Sequence, residues 1–143
     1  MSEKVYFSLG SNLGDREANL VEAIRKMDER LGSAHMRISS FIETPSWGFD
    51  GPPFINCAVE YMLDRDPFDV LDECKAIERE MGRDDGPASD AKGRRIYHSR
   101  LIDIDIIRFG ERRISSPRLT VPHPLAEERD FVRIPMSEIF ESN

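Results

Sequence analysis

Four stretches of the chain carry apolar residues at strand-like spacing: "KVYFSLG" (4–10), "HMRISSFIE" (35–43), "FINCAVEYML" (54–63) and "RLIDIDIIRFG" (100–110). Each is bounded by turn residues, so each predicts a strand. Between them the period changes. Leu20, Ala23, Ile24, Met27 and Leu31 follow helical spacing over 15–31, with Asp15 placed to cap the start and Gly32 to stop the end. Asp66 and Pro67 open a second helix as N-cap and first residue. Its apolar stripe is Phe68, Leu71, Cys74, Ile77 and Met81, before Gly82. "TPSWGFDGPP" (44–53) reads as a loop, as does the polar stretch 83–96. A short hairpin around Ile114 is followed by "LTVPHPLAEERDFVRIP" (119–135).

The order strand, helix, strand, strand, helix, strand is the ferredoxin-like pattern of an α+β fold. It predicts an antiparallel sheet with both helices on one face and the other face open for a site. The first and last strands are expected side by side at its centre. One domain over 1–143 accounts for the whole pattern, and the length suffices for a real core.

The last strand holds an anomaly. Asp103 and Asp105 sit among Leu101, Ile102, Ile104, Ile106 and Ile107. Aspartate is depleted in strands, and a buried carboxylate needs a partner. Alternation puts both aspartates on one face and Ile102, Ile104 and Ile106 on the other. At ~3.3 Å rise per residue their Cα atoms stand roughly 6.6 Å apart, close enough for both to reach one hard cation or two neighbouring ones. An acidic face in water and local salt bridges are the alternatives. A calcium loop is not one of them, because Ile107 and Arg108 stand where that motif has an oxygen ligand and a glycine.

Charge narrows the choice. The chain is acidic overall, with a net charge of −7, which argues against a general nucleic-acid binder. Yet Lys92, Arg94, Arg95, Arg100, Arg108, Arg112, Arg113 and Arg118 crowd the region of the paired aspartates. Basic residues around a carboxylate pair suit a polyanion that brings a metal with it. "GSNLG" after the first strand is neither a P-loop nor a dinucleotide fingerprint, so a nucleotide would be held by metal and arginines instead. No apolar run is long enough to span a membrane, and no signal peptide is visible. Cys57 and Cys74 fit no metal spacing and read as reduced thiols of a cytoplasmic protein.

Two further segments carry chemistry. His123 lies between Pro122 and Pro124, which stiffen the backbone that presents it, and Arg118 and Arg129 flank it with forked donors suited to phosphate. A buried histidine bonded to backbone is the alternative. In "TPSWGFDGPPFIN" the loop aromatics Trp47, Phe49 and Phe54 precede Asn56, whose amide can both donate to and accept from a heterocycle's edge. Such aromatics can equally anchor a loop to the core.

Together "GSNLGD", "SSFIETPSWGF", "FINCAVE", "IEREMGR", "SRLIDIDIIRFG" and "RLTVPHPLAEERDFVRIPM" run through nearly the whole chain. In that order they resemble the 6-hydroxymethyl-7,8-dihydropterin pyrophosphokinase family, ATP- and magnesium-dependent enzymes of folate biosynthesis with a ferredoxin-like fold. The resemblance implies that Asp103 and Asp105 hold two magnesium ions between the triphosphate and the attacking hydroxyl. It implies that Arg83 and Arg100 join them in catalysis. Glu78, Arg83, Tyr97, Arg100, Arg118, Thr120, His123 and Arg129 would lie with ATP, and Thr44, Pro45, Trp47, Phe54, Asn56 and Phe131 with the pterin, its ring between Phe54 and Phe131. The implied partners are these two small molecules, with no nucleic acid and no membrane, and the chain is expected to act as a monomer.

The chain departs from the family in a longer loop between Arg83 and Tyr97, which leaves open whether Arg94 or Arg95 acts there. It also has Tyr97-His98-Ser99-Arg100 where W-G-P-R is usual, and it stops soon after Pro135. Two rivals share single features. Sugar-nucleotide transferases use D-x-D metal sites but need a larger nucleotide-binding domain. A nucleic-acid module on a ferredoxin-like sheet would want exposed aromatics and basic residues on its central strands, where this chain has aliphatics and two acids.

Overall fold

A computed structural model of the protein describes residues 2–44, 53–82, 101–124 and 128–139. Pro45, Trp47, Phe49, Arg83, Arg94, Arg95, Tyr97 and Arg100 lie outside the described residues, as does the whole of the loop over 83–96. The elements are β1 (Glu3–Ser11), α1 (Arg16–Leu31), β2 (Arg37–Ile38), β3 (Ile42–Thr44), β4 (Phe54–Leu63), α2 (Pro67–Glu80), β5 (Asp103–Phe109), β6 (Ile114–Ser115), β7 (Thr120–Val121) and α3 (Asp130–Ile139). The main sheet is antiparallel in the order β2-β4-β1-β5, with β3 also paired to β4, and β6 and β7 form a separate hairpin. This is the α+β, ferredoxin-like arrangement that the element order predicts.

Local chemistry sets the helix ends where the sequence puts them. The Asp15 carboxylate accepts from the Ala18 N–H, and Gly32 closes α1 in the left-handed region at φ 70°. The Asp66 carboxylate accepts from Phe68 and Asp69 at the start of α2, with Pro67 in the first turn. The predicted α1 stripe is buried in full, Leu20, Ala23, Ile24, Met27 and Leu31 all packing against the sheet. Burial stabilises by roughly 1.5–3 kcal/mol for each such large aliphatic side chain. In α2 the buried set is Val70, Leu71, Cys74, Ile77 and, unexpectedly, Glu78, while Phe68 and Met81 are only partly covered.

Three features differ from expectation. The strand over 35–43 is not continuous. Ser39 interrupts it: its N–H donates to the Ala58 carbonyl at 2.9 Å, and its hydroxyl, rather than a strand carbonyl, accepts from the Ala58 N–H at 2.8 Å. A side chain that takes over a ladder bond breaks the strand into β2 and β3. Second, β5 lies beside β1 as expected but ends the sheet path rather than sitting at its centre, because β1 takes β4 as its other neighbour. The outer edge of β5 is nonetheless covered. The His123 N–H donates to the Ile107 carbonyl at 2.8 Å, and the Ile104 N–H donates to the Glu78 carboxylate at 2.8 Å. Third, α3 was not foreseen. It packs Val132, Met136 and Ile139 on Tyr6, Ala58 and Ile107, so that among the described residues the sheet face opposite α1 and α2 is open only at one end.

Candidate active site

At that open end three strands place their residues in a row. Gly10 of β1 pairs with Asn56 of β4 on one side and with Asp103 of β5 on the other. Two residues along, Ser8 pairs in the same way with Ala58 and Asp105. Paired residues of adjacent antiparallel strands share a face, so Asn56, Gly10, Asp103 and Asp105 all look to the side that α3 partly covers. Ile102, Ile104 and Ile106 point the other way, into the core with α1 and α2. The apolar half of β5 therefore anchors the strand that displays the two carboxylates.

Burial and like charge act on that display. The Asp105 carboxyl is pushed up to about 8, first by burial, then by Asp103 and Glu78, with Lys75 and Arg129 pulling the other way. Glu78 is itself 1% exposed, so its charge cannot be screened by water, and Lys75 Nζ stands 3.6 Å from its carboxylate. A site with more negative charge than its surroundings offset is a site for a cation. Among the described residues no group of three or more His, Cys, Asp or Glu side chains gathers to enclose a metal. Two adjacent oxygen donors fit magnesium, which is held by one or two carboxylates and completes its shell with water and phosphate oxygens.

Beside Asp105 a cavity of about 290 Å³ opens between α2, β5 and the hairpin β6–β7. Leu71, Ile104, Ile106 and Leu119 give it an apolar wall, and Lys75, Arg118, Thr120 and His123 give it polar groups. An aliphatic wall accepts a flat ring, and forked cationic groups at its mouth accept phosphates. Arg118 donates to the Asp72 carboxylate at 2.5 Å and lies over the Phe68 ring at 5.6 Å, so it is steered to the cavity rim. His123 follows a cis Val121–Pro122 bond and is pinned to β5 through its backbone. Burial, then the positive charge of Arg129, pull its imidazole below the usual range, while Asp103 opposes them, so it is neutral at pH 7.

On the β4 side, Asn56 is 3% exposed and its Nδ2 donates to Thr44 Oγ1 at 2.9 Å. Phe54 pairs with Thr44 and reaches over Gly10. Phe131, at the start of α3, packs on the cluster of Tyr6, Ala58 and Ile107, and Arg129 lies over its ring at 5.7 Å. Thr44, Phe54, Asn56, Asp103, Asp105 and Phe131 are thus gathered at one end of one sheet face, with Arg118, Thr120 and His123 around the adjoining cavity and Arg129 near both. Glu78 lies under β5, bonded to its backbone.

Sequence reasoning missed Lys75, the aliphatic cavity wall and the hold of Glu78 on β5. A signal for the last existed: Glu78 follows Leu71, Cys74 and Ile77 on the buried face of α2, and an acid on an apolar stripe requires a partner.

The chain is similar to known proteins over nearly its whole length. The family model for 7,8-dihydro-6-hydroxymethylpterin-pyrophosphokinase matches residues 6–141. A Porphyromonas gingivalis protein named 2-amino-4-hydroxy-6-hydroxymethyldihydropteridine pyrophosphokinase is 42% identical over 137 residues, covering 94% of this chain and 89% of its own length. A protein of the same name from Aquifex aeolicus is 37% identical, covering 94% of this chain and 79% of its own length. The mitochondrial folate synthesis bifunctional protein of Arabidopsis thaliana is 39% identical over 97% of this chain but only 24% of its own length. A crystal structure of an HPPK-DHPS in complex with substrates superposes with a TM-score of 0.67 at 14% identity, covering 97% of this chain and 40% of that one, a likeness of fold.

Proposed function

This chain belongs to the 7,8-dihydro-6-hydroxymethylpterin-pyrophosphokinase family, and on that premise we propose how its own residues divide the work. The reaction is transfer of diphosphate from ATP to the hydroxymethyl group of 6-hydroxymethyl-7,8-dihydropterin, which leaves AMP and the pterin diphosphate in folate biosynthesis.

Asp103 and Asp105 would hold two magnesium ions that arrive with the triphosphate. Bound magnesium neutralises phosphate oxygens and makes the pterin hydroxyl a better nucleophile. The rest is positioning, which dominates phosphoryl chemistry. The aliphatic wall of Leu71, Ile104 and Ile106 takes the adenine. Arg118, Thr120 and Arg129 bind phosphate or ribose, and His123 donates a hydrogen bond to a phosphate oxygen. Arg83, Tyr97 and Arg100 complete the nucleotide set, with Arg83 and Arg100 catalytic, and Glu78 fixes the strand that carries the metal ligands. Asn56 reads the polar edge of the pterin while Thr44 holds its amide. Phe54 and Phe131 flank the ring, with Pro45 and Trp47 at its rim.

The observation that carries this assignment is the Asp105 carboxyl, pushed up first by burial and then by the neighbouring Asp103 and Glu78, a position in which a cation would replace the proton. It also supports magnesium over the solvated-face alternative, since exposed carboxylates have no cause to be shifted. We propose further that this domain acts as a monomer in the cytoplasm, a setting in which its buried Cys57 and Cys74 would stay free thiols. Among the described residues no helix is long and apolar enough to cross a membrane.

Thermal melts of the wild type in EDTA, in magnesium, and in magnesium with a non-hydrolysable ATP analogue test the metal assignment. Magnesium should stabilise most with the analogue present, because triphosphate oxygens complete the shell. Equal stabilisation by the analogue in EDTA and in magnesium would remove the metal from the site.

A further inference from the structure

Gly10 stands at the centre of the row, and its backbone does not explain why it is glycine. Among the described residues the glycines at positive φ are Gly14, Gly32, Gly82 and Gly110. Gly10 is ordinary strand backbone, where glycine weakens a sheet unless something approaches closely. Here something does. A Cβ placed on Gly10 would stand 2.5 Å from Asn56 Oδ1 and 3.3 Å from Phe54 Cδ1. The first distance is well inside van der Waals contact. Asn56 cannot simply retreat, because its amide nitrogen is tied to Thr44 and its side chain is almost wholly buried.

We propose that Gly10 is a positioning residue for the pterin: its missing side chain lets the Asn56 amide lie across β1, with the acceptor Oδ1 over the strand. This rests on the assignment of Asn56 to the pterin edge. Strands are ~4.8 Å apart, so Asn56 and Asp103, two strands away, are separated by roughly 9.6 Å at the backbone. The N–H edge of the pterin would meet that Oδ1, with its hydroxymethyl group directed toward Asp103 on β5. A methyl group at position 10 would displace the amide, and through it the polar edge of the ring. ATP, which lies beyond β5, would not feel it.

The test is a double-mutant cycle on turnover, with Gly10→Ala, Asn56→Ala and both together, reading KM for the pterin, KM for ATP, kcat and thermal stability. Gly10→Ala should raise the pterin KM at least tenfold and leave the ATP KM within twofold. With the amide removed in Asn56→Ala, adding Gly10→Ala should cost less than a further twofold, because the two act through one group. Should Gly10→Ala alone fail to fold, the double variant decides. Folding with the pterin KM of Asn56→Ala upholds the clash with Asn56, and failure to fold overturns the proposal. It is also overturned if the two effects multiply, or if Gly10→Ala leaves the pterin KM unchanged while Asn56→Ala raises it. If Asn56→Ala itself leaves that KM unchanged, the pterin-edge assignment falls, and the Gly10 proposal with it.

Discussion

Asn56 and Asp103 flank Gly10 in a single row across β4, β1 and β5, facing the same side of the sheet. The residue suited to reading a heterocycle and the residue suited to holding a cation are thus fixed to one rigid lattice. Their separation is set by strand spacing rather than by loops, and a site on a sheet is held more closely than one on connections.

The hydrogen bond from Asn56 Nδ2 to Thr44 Oγ1, at 2.9 Å, is what keeps the amide oriented. Thr44→Val keeps the shape and removes the acceptor, leaving a buried N–H unpaired at about 1–3 kcal/mol. The amide then rotates to find another partner. The pterin KM should rise about tenfold, with the ATP KM unchanged, in steady-state kinetics. An equal rise for both substrates would make Thr44 a general structural residue.

Metal-free stability should depend on pH through Asp105. Its carboxyl is pushed up from an ordinary 3.8 to about 8 in the folded protein. Between those values the folded state keeps a proton that the unfolded state gives up, so stability is fullest below about pH 4 and is lost as pH rises toward 8. Urea unfolding in EDTA from pH 5.5 to pH 8.5 should therefore show a falling stability that Asp105→Asn flattens. The difference between the two proteins, rather than either slope alone, isolates the group. Parallel curves would mean that Asp105 is ionised throughout.

Arg118 reaches the cavity rim from an exposed ion pair with Asp72, which contributes little to stability. Arg118→Ala should leave the melting temperature within a degree or two. It should raise the ATP KM at least tenfold, since forked contacts to phosphate are among the stronger hydrogen bonds. The pterin affinity, measured by calorimetry without nucleotide, should not change. A fall in pterin affinity would connect Arg118 to the wrong substrate.

Much of this was legible because local chemistry and tertiary packing agree. Asp15, Gly32, Asp66 and Pro67 end helices by backbone hydrogen bonds that need no distant partner, and the α1 stripe is buried residue for residue. The alternation of Asp103 and Asp105 with three isoleucines places the acids on one face, and the sheet keeps them there. What the pattern could not give were relations between distant residues. The Ser39 hydroxyl breaks a strand only because Ala58 lies opposite it, and β5 ends the sheet only because β4 occupies the other side of β1. The role of Gly10 is likewise invisible in "SLGSN", since it depends on the side chain of a residue far along the chain.

The central claim is that Asp103 and Asp105 hold magnesium for diphosphate transfer. The most direct measurement is AMP formation by the wild type, Asp103→Asn and Asp105→Asn with ATP and 6-hydroxymethyl-7,8-dihydropterin, across a magnesium titration. The account predicts turnover that requires magnesium in the wild type and is reduced at least a hundredfold in each variant at every concentration, with both variants folded. Variants that keep most of the wild-type rate and the same magnesium dependence would contradict it, and return the two aspartates to a solvated acidic face.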